Sequence, residues 1–344
     1  MTTANLDAAD LANVARGGLI HEDVMNKIWD ISAIPLPFTD LVGSDNVKNQ
    51  YTSWTQDRLR APDLTNAKID GQDTDNANDT NTGKRVGNHC QISTKTVQVS
   101  TRAQNVNGIG FANALSYNIM MRQRELRRDV EAISLTDQAS FADTGAVAGK
   151  AGALGSWLTT NVDGGVGFAA GGYNTSTGLT VSPTPGTPRP LTETIIRDVA
   201  EKCYISNGNP SVLMTIPQLV RKISEYMFTS SARIATLQSD QKPATSAATA
   251  QGSVNVFVTD FGVTLELRAN RLQQPVDTDN CTAYLLDPAY IRHGYLHGYR
   301  VEPLAKTGLS DKRQMAVDWT LKVLNEEALG GIYDIDYTQD VTQG

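Results

Sequence analysis

Two histidines, His293 and His297, stand four residues apart, the spacing at which one face of a helix grips a zinc ion. Gly294 and Gly298 oppose a helix there, and the glutamate that should follow the first histidine is missing. His89 and Cys90 form a second ligand pair, but neighbours on a strand point to opposite faces. Asp73, Asp75, Asn78 and Asp79 give the oxygen density of a calcium loop. Counted from Asp73, the sixth and twelfth positions hold Asn78 and Lys84, where a hand-type loop needs glycine and glutamate. A solvated acidic loop tip accounts for these residues. The segment 145–150 ends Gly149-Lys150 like a phosphate loop, yet it is one residue short and Ala151 replaces the magnesium-binding hydroxyl. Gly165 and Gly167 open a loose dinucleotide pattern that runs into Gly171-Gly172 instead of a helix. No nucleophile elbow of the Gly-x-Ser-x-Gly type occurs. The residues nominate no catalytic centre, no cofactor and no metal, so the chain is expected not to be an enzyme.

The elements that would position any site are clearer. Phe111, Leu115, Ile119, Leu126, Val130 and Ile133 recur near the helical period and predict a long helix over 109–135. At about 1.5 Å per residue it would run roughly 40 Å. Its exposed side is expected to carry Arg122, Arg124, Arg127 and Arg128 with Glu125, Asp129 and Glu131, Arg127 and Glu131 making an i,i+4 pair. With both signs interleaved this reads as a solvated face rather than a nucleic-acid patch. Met315, Val317, Trp319, Leu321 and Val323 alternate and predict a strand over 314–324. Further helices are expected at 21–31, 191–206 and 217–228, the last opened by Pro217. Strands are expected at 49–60, 90–102, 211–216, 254–259 and 263–269, with Phe261-Gly262 at the last turn. Pro35 and Pro37 predict extended backbone over 34–38. The polar stretch 61–88 suits the tip of an extended hairpin between strands 49–60 and 90–102. Residues 1–20 read as a polar arm and 229–252 as a low-complexity polar loop.

Composition sets outer bounds. The chain has 344 residues, 40% hydrophobic, 6% aromatic and only 19% charged, with a net charge of −7. Neutral Thr, Asn, Gln and Ser take the place of the missing charge. The length is enough for a core without staples, and the mild acidity opposes a surface that grips nucleic acid throughout. No apolar run is long enough to cross a membrane as a helix, so no membrane partner is expected. The first residues carry no secretory pattern, and three widely spaced cysteines suit a reducing compartment.

Several segments, in order, resemble one family. Trp54-Thr55-Gln56-Asp57-Arg58-Leu59 looks like a tryptophan–aspartate–leucine strand before an extended loop. Leu126 to Glu131, with Asp129, resembles the end of its long helix. The segment 151–158 resembles its glycine–leucine–tryptophan stretch, ending Trp157-Leu158. Asn207-Gly208-Asn209-Pro210 and Thr259-Asp260-Phe261-Gly262 follow in the family order. Glu302-Pro303-Leu304-Ala305-Lys306-Thr307-Gly308 is the most specific match, followed by the strand with Trp319 and by Asn325-Glu326-Glu327. The family is that of the major capsid proteins of tailed bacteriophages.

The resemblance implies an α+β chain with the Hong Kong 97-type capsid fold. Carried onto this sequence, it gives an N-terminal arm at 1–45 and an extended hairpin loop at 46–102. A peripheral domain at 103–184 contains the spine helix, an axial domain spans 185–285, and 286–344 returns to the peripheral domain. It implies that Trp54, Asp57, Leu59, Asp129, Glu131, Trp157, Phe261, Gly262, Lys306, Thr307, Gly308, Trp319 and Asn325 serve structure or assembly. It implies self-assembly into hexamers and pentamers of an icosahedral head that encloses double-stranded DNA without reading its sequence. Scaffolding, portal and decoration proteins are the implied partners, with assembly in the bacterial cytoplasm and residence in the virion. The arm begins without a long extension before it, so a separate scaffolding protein is expected. A non-viral shell of the same fold, an encapsulating nanocompartment, is the first alternative, and an enzyme with a site scattered in sequence is the weaker one.

Overall fold

A computed structural model describes residues 35–59, 61–71, 83–106, 113–229, 256–306 and 308–342. The expected arm over 1–20, the helix at 21–31, the acidic tip at 72–82 and the polar loop at 230–252 lie outside them. So does Thr307.

The described chain opens with helix α1 (Pro37–Leu41) and strand β1 (Gly43–Asn46). The expectation of extended backbone over 34–38 is corrected here: Pro37 stands in the first turn of α1. That position has no intrahelical acceptor, so the missing proline N–H costs nothing, and the fixed φ suits a helix start. A hairpin follows, β2 (Tyr51–Gln56) with β3 (Lys84–His89), and then β4 (Gln91–Ser100). The hairpin partner of 51–56 is therefore 84–89 and not 90–102. Cys90 N–H donates to Gln50 carbonyl (2.8 Å) and closes the hairpin, and the chain then leaves for a different sheet.

That first sheet has the order β1-β12-β13-β4, with β12 (Ile291–Pro303) and β13 (Ser310–Val323) forming a long antiparallel pair. After the short helix α2 (Thr101–Asn105), the long helix α3 runs Ala114–Ser134, about 30 Å. Asn113 caps it, its side chain accepting from Ser116 N–H at 3.1 Å. Residues 109–112 of the expected helix lie outside the described set. Leu126 and Val130 pack with Val97, Val99, Met315, Val317 and Trp319 between helix and sheet. Ile92 has the opposite parity to Val97 and Val99 and faces solvent.

Between the layers come α4 (Leu154–Trp157), β5 (Val162–Asp163) and a small hairpin of β6 (Gly172–Asn174) and β7 (Leu179–Val181). Then follow α5 (Glu193–Ile205), β8 (Val212–Thr215), α6 (Pro217–Thr229), β9 (Val256–Val258), β10 (Thr264–Ala269) and β11 (Asn280–Leu286). The last strand is β14 (Gly330–Asp336). The second sheet has the order β5-β14-β11-β8-β10-β9. Both of its faces are covered. On β8 and β11, Leu213, Cys281, Ala283 and Leu285 pack under α5 and α6, while Met214, Tyr284 and Leu286 pack against Phe38, Leu154, Trp157 and Tyr333.

Two segments cross the boundaries expected from sequence. Gln91–Ser100 is a strand of the first sheet rather than part of the extended loop. Gly330–Asp336 pairs with β11 in the second sheet, so 286–344 divides between both sheets. β13 links the layers. Met315, Val317 and Trp319 serve the core under α3, and Leu321 and Val323 on the same face serve the core between the layers.

Candidate functional site

The base of the β2–β3 hairpin is tied to the body by rings and buried amides. Trp54 tilts against Trp157 at 5.4 Å between ring centroids, and Trp157 stacks on Tyr173 at 5.6 Å. Trp54 Nε1 donates to Val323 carbonyl (3.1 Å) and Gln56 Nε2 to Leu324 carbonyl (2.9 Å). Asn88 is fully buried. Its Nδ2 donates to the carbonyls of Gly152 (3.0 Å) and Leu321 (2.7 Å), and its Oδ1 accepts from Gly152 N–H (2.8 Å). Every amide position pointing inward is thus met, which a buried polar side chain requires. Beyond this base the chain is open: Leu59, Leu64 and Ile69 are 93%, 95% and 78% exposed. Asp57 accepts from Arg58 N–H (2.7 Å), and Arg58 reaches Glu327 (3.4 Å) across an open cleft of about 600 Å³. Asn325 lines the same cleft and caps a 3₁₀ turn by accepting from Glu327 N–H (3.2 Å).

The second cluster centres on Glu131, and it corrects the sequence reading. Glu131 is not on the solvated face paired with Arg127; it is fully buried. Its Oε1 accepts from Phe38 N–H and from Asn270 Nδ2, both at 2.7 Å. Its Oε2 accepts from Thr39 N–H (2.7 Å) and Thr39 Oγ1 (2.5 Å). Helix α1 has no capping side chain of its own at Leu36. The carboxylate of Glu131 takes that role from another element, meeting orphan N–H groups at the positive end of a helix. One side chain thereby joins the arm-proximal helix, the long helix and the end of β10. Beside it, His293 is buried among Phe38, Tyr295 and Trp319, and neither ring nitrogen has a hydrogen-bond partner. Burial pushes its pKa down to about 4.

The other nominated residues are scattered over the molecule. Asp129 pairs with Lys95 of β4 (2.7 Å). Trp319 is buried and donates from Nε1 to Ser93 Oγ (3.1 Å). Phe261 stacks on Tyr204 at 5.4 Å, and Gly262 takes φ +77°, the left-handed conformation its turn requires. Lys306 pairs with Asp311 (2.6 Å) at the β12–β13 tip, where Gly308 has φ +79°. Of these residues the fold brings together Trp54 with Trp157, and Asp57 and Leu59 with Asn325. Sequence reasoning missed Asn88 and Asp334. Asp334 holds φ +56° while its carboxylate accepts from Gly165, Gly186 and Asn280. An acidic residue inside the apolar run of β14 was the available signal.

For chemistry there is little to work with. No group of three or more metal-ligating side chains occurs among the described residues. Asp137 lies near Tyr284, Tyr333 and Asp334, and burial raises its pKa to about 6. The cavity there measures about 10 Å³, too small for an organic substrate. What the geometry offers is a body in which the base of the β2–β3 hairpin and helix α1 are both tied down by buried polar side chains.

The architecture is the Hong Kong 97-type capsid fold, α+β in class. The capsid of Myoviridae phage XM1 superposes with a TM-score of 0.56 at 13% identity, over 93% of this chain and 100% of that one. The SrpI encapsulin of Synechococcus elongatus gives 0.54 at 12% identity, over 95% and 97%. A chain of Gordonia phage Cozz gives 0.54 at 13%, over 96% of each. These likenesses concern the fold. The sequence itself goes further: the profile of the SU10 major capsid protein family matches residues 2–336, and the chain belongs to that family. A major capsid protein of Escherichia phage Phieco32 is 30% identical over 114 residues, a match spanning 33% of this chain and 32% of that protein.

Proposed function

We propose that this chain is the structural subunit of a tailed-phage head, assembling through hexamers and pentamers into an icosahedral shell around double-stranded DNA. The observation that carries the reading is the family match across residues 2–336. The shell needs no catalytic step from the chain. In this reading the segments 1–45, 46–102, 103–184, 185–285 and 286–344 act as arm, extended loop, peripheral domain, axial domain and peripheral return, with the strand exchanges described above. The loop beyond β2 and β3 lies over a neighbouring subunit, where Leu59, Leu64 and Ile69 find cover. Strength comes from many modest contacts summed over large areas. Low charge suits interface surface, and the net charge of −7 suits a wall that holds DNA without binding it. Scaffolding, portal and decoration proteins of the same head are the expected partners, with assembly in the host cytoplasm. The SrpI encapsulin shares the fold, so a nanocompartment is the second reading. Cargo inside the particles separates the two: nucleic acid for a head, an enzyme for a nanocompartment.

Shortening the loop tests the placement. Joining Ala61 to Gly83 through a short linker leaves β2 and β3 paired and the subunit folded, and particle yield falls sharply. Normal particles from this variant contradict the placement.

A further inference from the structure

Four places in the sequence join an aspartate or asparagine to a glycine: Asp70-Gly71, Asn107-Gly108, Asp163-Gly164 and Asn207-Gly208. In such a pair the side-chain carbonyl carbon can reach the next backbone nitrogen, and a glycine there has no Cβ to block the approach. Closure needs a glycine N–H free of other bonds and a side chain able to turn back onto it. An aspartate must also take up a proton, because an ion-paired carboxylate is a poor electrophile. Asn107-Gly108 lies outside the described residues, and the other three pairs stand in different surroundings.

Asn207-Gly208 is locked by hydrogen bonds. Gly208 N–H donates to Cys203 carbonyl (2.9 Å) and Asn207 N–H to Tyr204 carbonyl (3.0 Å), closing the end of α5, and Gly208 lies against the backbone of Ala328. Asp163-Gly164 is held by charge and packing. Asp163 stands in β5 opposite Ile332 of β14, its Oδ1 bonded to Arg189 and its Oδ2 3.9 Å from Lys202 Nζ. Gly164 packs under the Phe168 ring. Asp70-Gly71 has none of these restraints. Both residues are exposed, in a turn beyond the hairpin base. Neither makes a hydrogen bond or ion pair among the described residues. Gly71 takes φ +80°, and no atom stands within 4 Å of the place a Cβ would occupy.

We propose that Asp70 is a site of spontaneous backbone modification, closing onto the Gly71 nitrogen and reopening as isoaspartate, while Asp163-Gly164 and Asn207-Gly208 are held back. Water is the only co-reactant. In the protonated acid, Gly71 N attacks Asp70 Cγ. The new C–N bond forms, and the carboxyl hydroxyl leaves with the amide proton as water, which gives a succinimide ring. Water then opens the ring. Attack at Cγ breaks the new bond and restores aspartate. Attack at the main-chain carbonyl carbon of Asp70 breaks the original bond to Gly71, so that the chain now runs through Cβ and Cγ. Atoms and charge are unchanged overall, and the main chain of the loop gains a methylene. The inference is independent of the shell reading.

Peptide mapping of the full chain tests it. The unassembled subunit and the same chain unfolded in denaturant are warmed side by side in mildly acidic buffer and digested. Each pair is then read by isoaspartyl methyltransferase labelling and electron-transfer fragmentation. The rate at 70 stays within about twofold of its unfolded value, while the rates at 163 and 207 fall by about tenfold or more on folding, because a hydrogen bond or ion pair must break first. Asp70→Glu, whose ring would be larger and slower to close, brings the signal at 70 to background and leaves the melting temperature unchanged. Asp70→Asn closes the same ring with loss of ammonia and appears as deamidation at 70. Absence of isoaspartate at 70 in the folded chain overturns the inference. So does a rate at 70 that folding slows as much as the rate at 163, or a signal that persists in Asp70→Glu.

Discussion

Replacing Glu131 with glutamine perturbs a buried side chain that joins three elements while keeping its shape. The wild-type carboxylate receives four hydrogen bonds from two segments, at 2.5–2.7 Å. In Glu131→Gln one oxygen becomes an NH₂ group that must face donors. If it replaces Oε2, it meets Thr39 N–H and Oγ1; if it replaces Oε1, it meets Phe38 N–H and Asn270 Nδ2. Either way at least one buried donor loses its acceptor. Such a loss costs about 1–3 kcal/mol, and bonds to a charged acceptor are worth about 1.5–3 kcal/mol each. Loss of the charge at the start of α1 adds about 0.3–1 kcal/mol. We expect a net destabilisation of about 2–4 kcal/mol, a fall of about 3–6 °C in Tm for a chain of this length. Urea and thermal unfolding of the unassembled subunit measure it. A double-mutant cycle with Thr39→Val should show a coupling of about 1 kcal/mol or more, because the two residues share the bond being removed. If Glu131→Gln unfolds within about 0.5 kcal/mol of the wild type, the carboxylate does not hold the arm root and the reasoning fails.

Two buried groups give opposite responses to acid. His293 is held neutral in the folded state, with its pKa pushed down to about 4 against 6.5 in an unfolded chain. The unfolded state therefore binds the extra proton first, and stability is lost as pH falls from 6.5 towards 4. Asp137 has its pKa raised to about 6 against 3.8, so the folded state binds its proton first and stability is gained as pH falls from 6 towards 4. Each effect is worth about 3 kcal/mol over that window, and they partly cancel in the wild type. Unfolding free energies between pH 4 and 7 should show a gain on acidification in His293→Phe and a steeper loss in Asp137→Asn; identical pH profiles in all three proteins contradict the assignment. Asn88→Ala strands the carbonyls of Gly152 and Leu321 and the N–H of Gly152, and should cost about 2–4 kcal/mol by chemical denaturation, against under about 0.5 kcal/mol if the hairpin base is held by the rings alone.

Local patterns in the sequence foretold those elements whose reason is local. The alternation from Met315 to Val323 follows from a strand with one buried face, and the helix expected at 191–206 lies on a sheet, burying Ile196, Val199 and Cys203. Pro217 was readable at a helix start for the same reason that Pro37 was misread, since only the residues around a proline tell a first turn from an extended stretch. Contacts between distant parts were not readable. Glu131 meets Phe38 across 93 residues, and its place among arginines imitates a solvated face. The strand Lys84–His89 is short, polar and broken by Gly87, so its pairing with Tyr51–Gln56 left no periodic signal. β14 is buried on both faces and shows no alternation.

The central claim is that many copies of this chain close into a shell. Electron microscopy of the full chain expressed alone, and together with the other head proteins, tests it most directly. The account predicts hollow particles of uniform diameter whose averaged images show hexamers and pentamers. A subunit that stays monomeric under every assembly condition, with no shells in the micrographs, contradicts it.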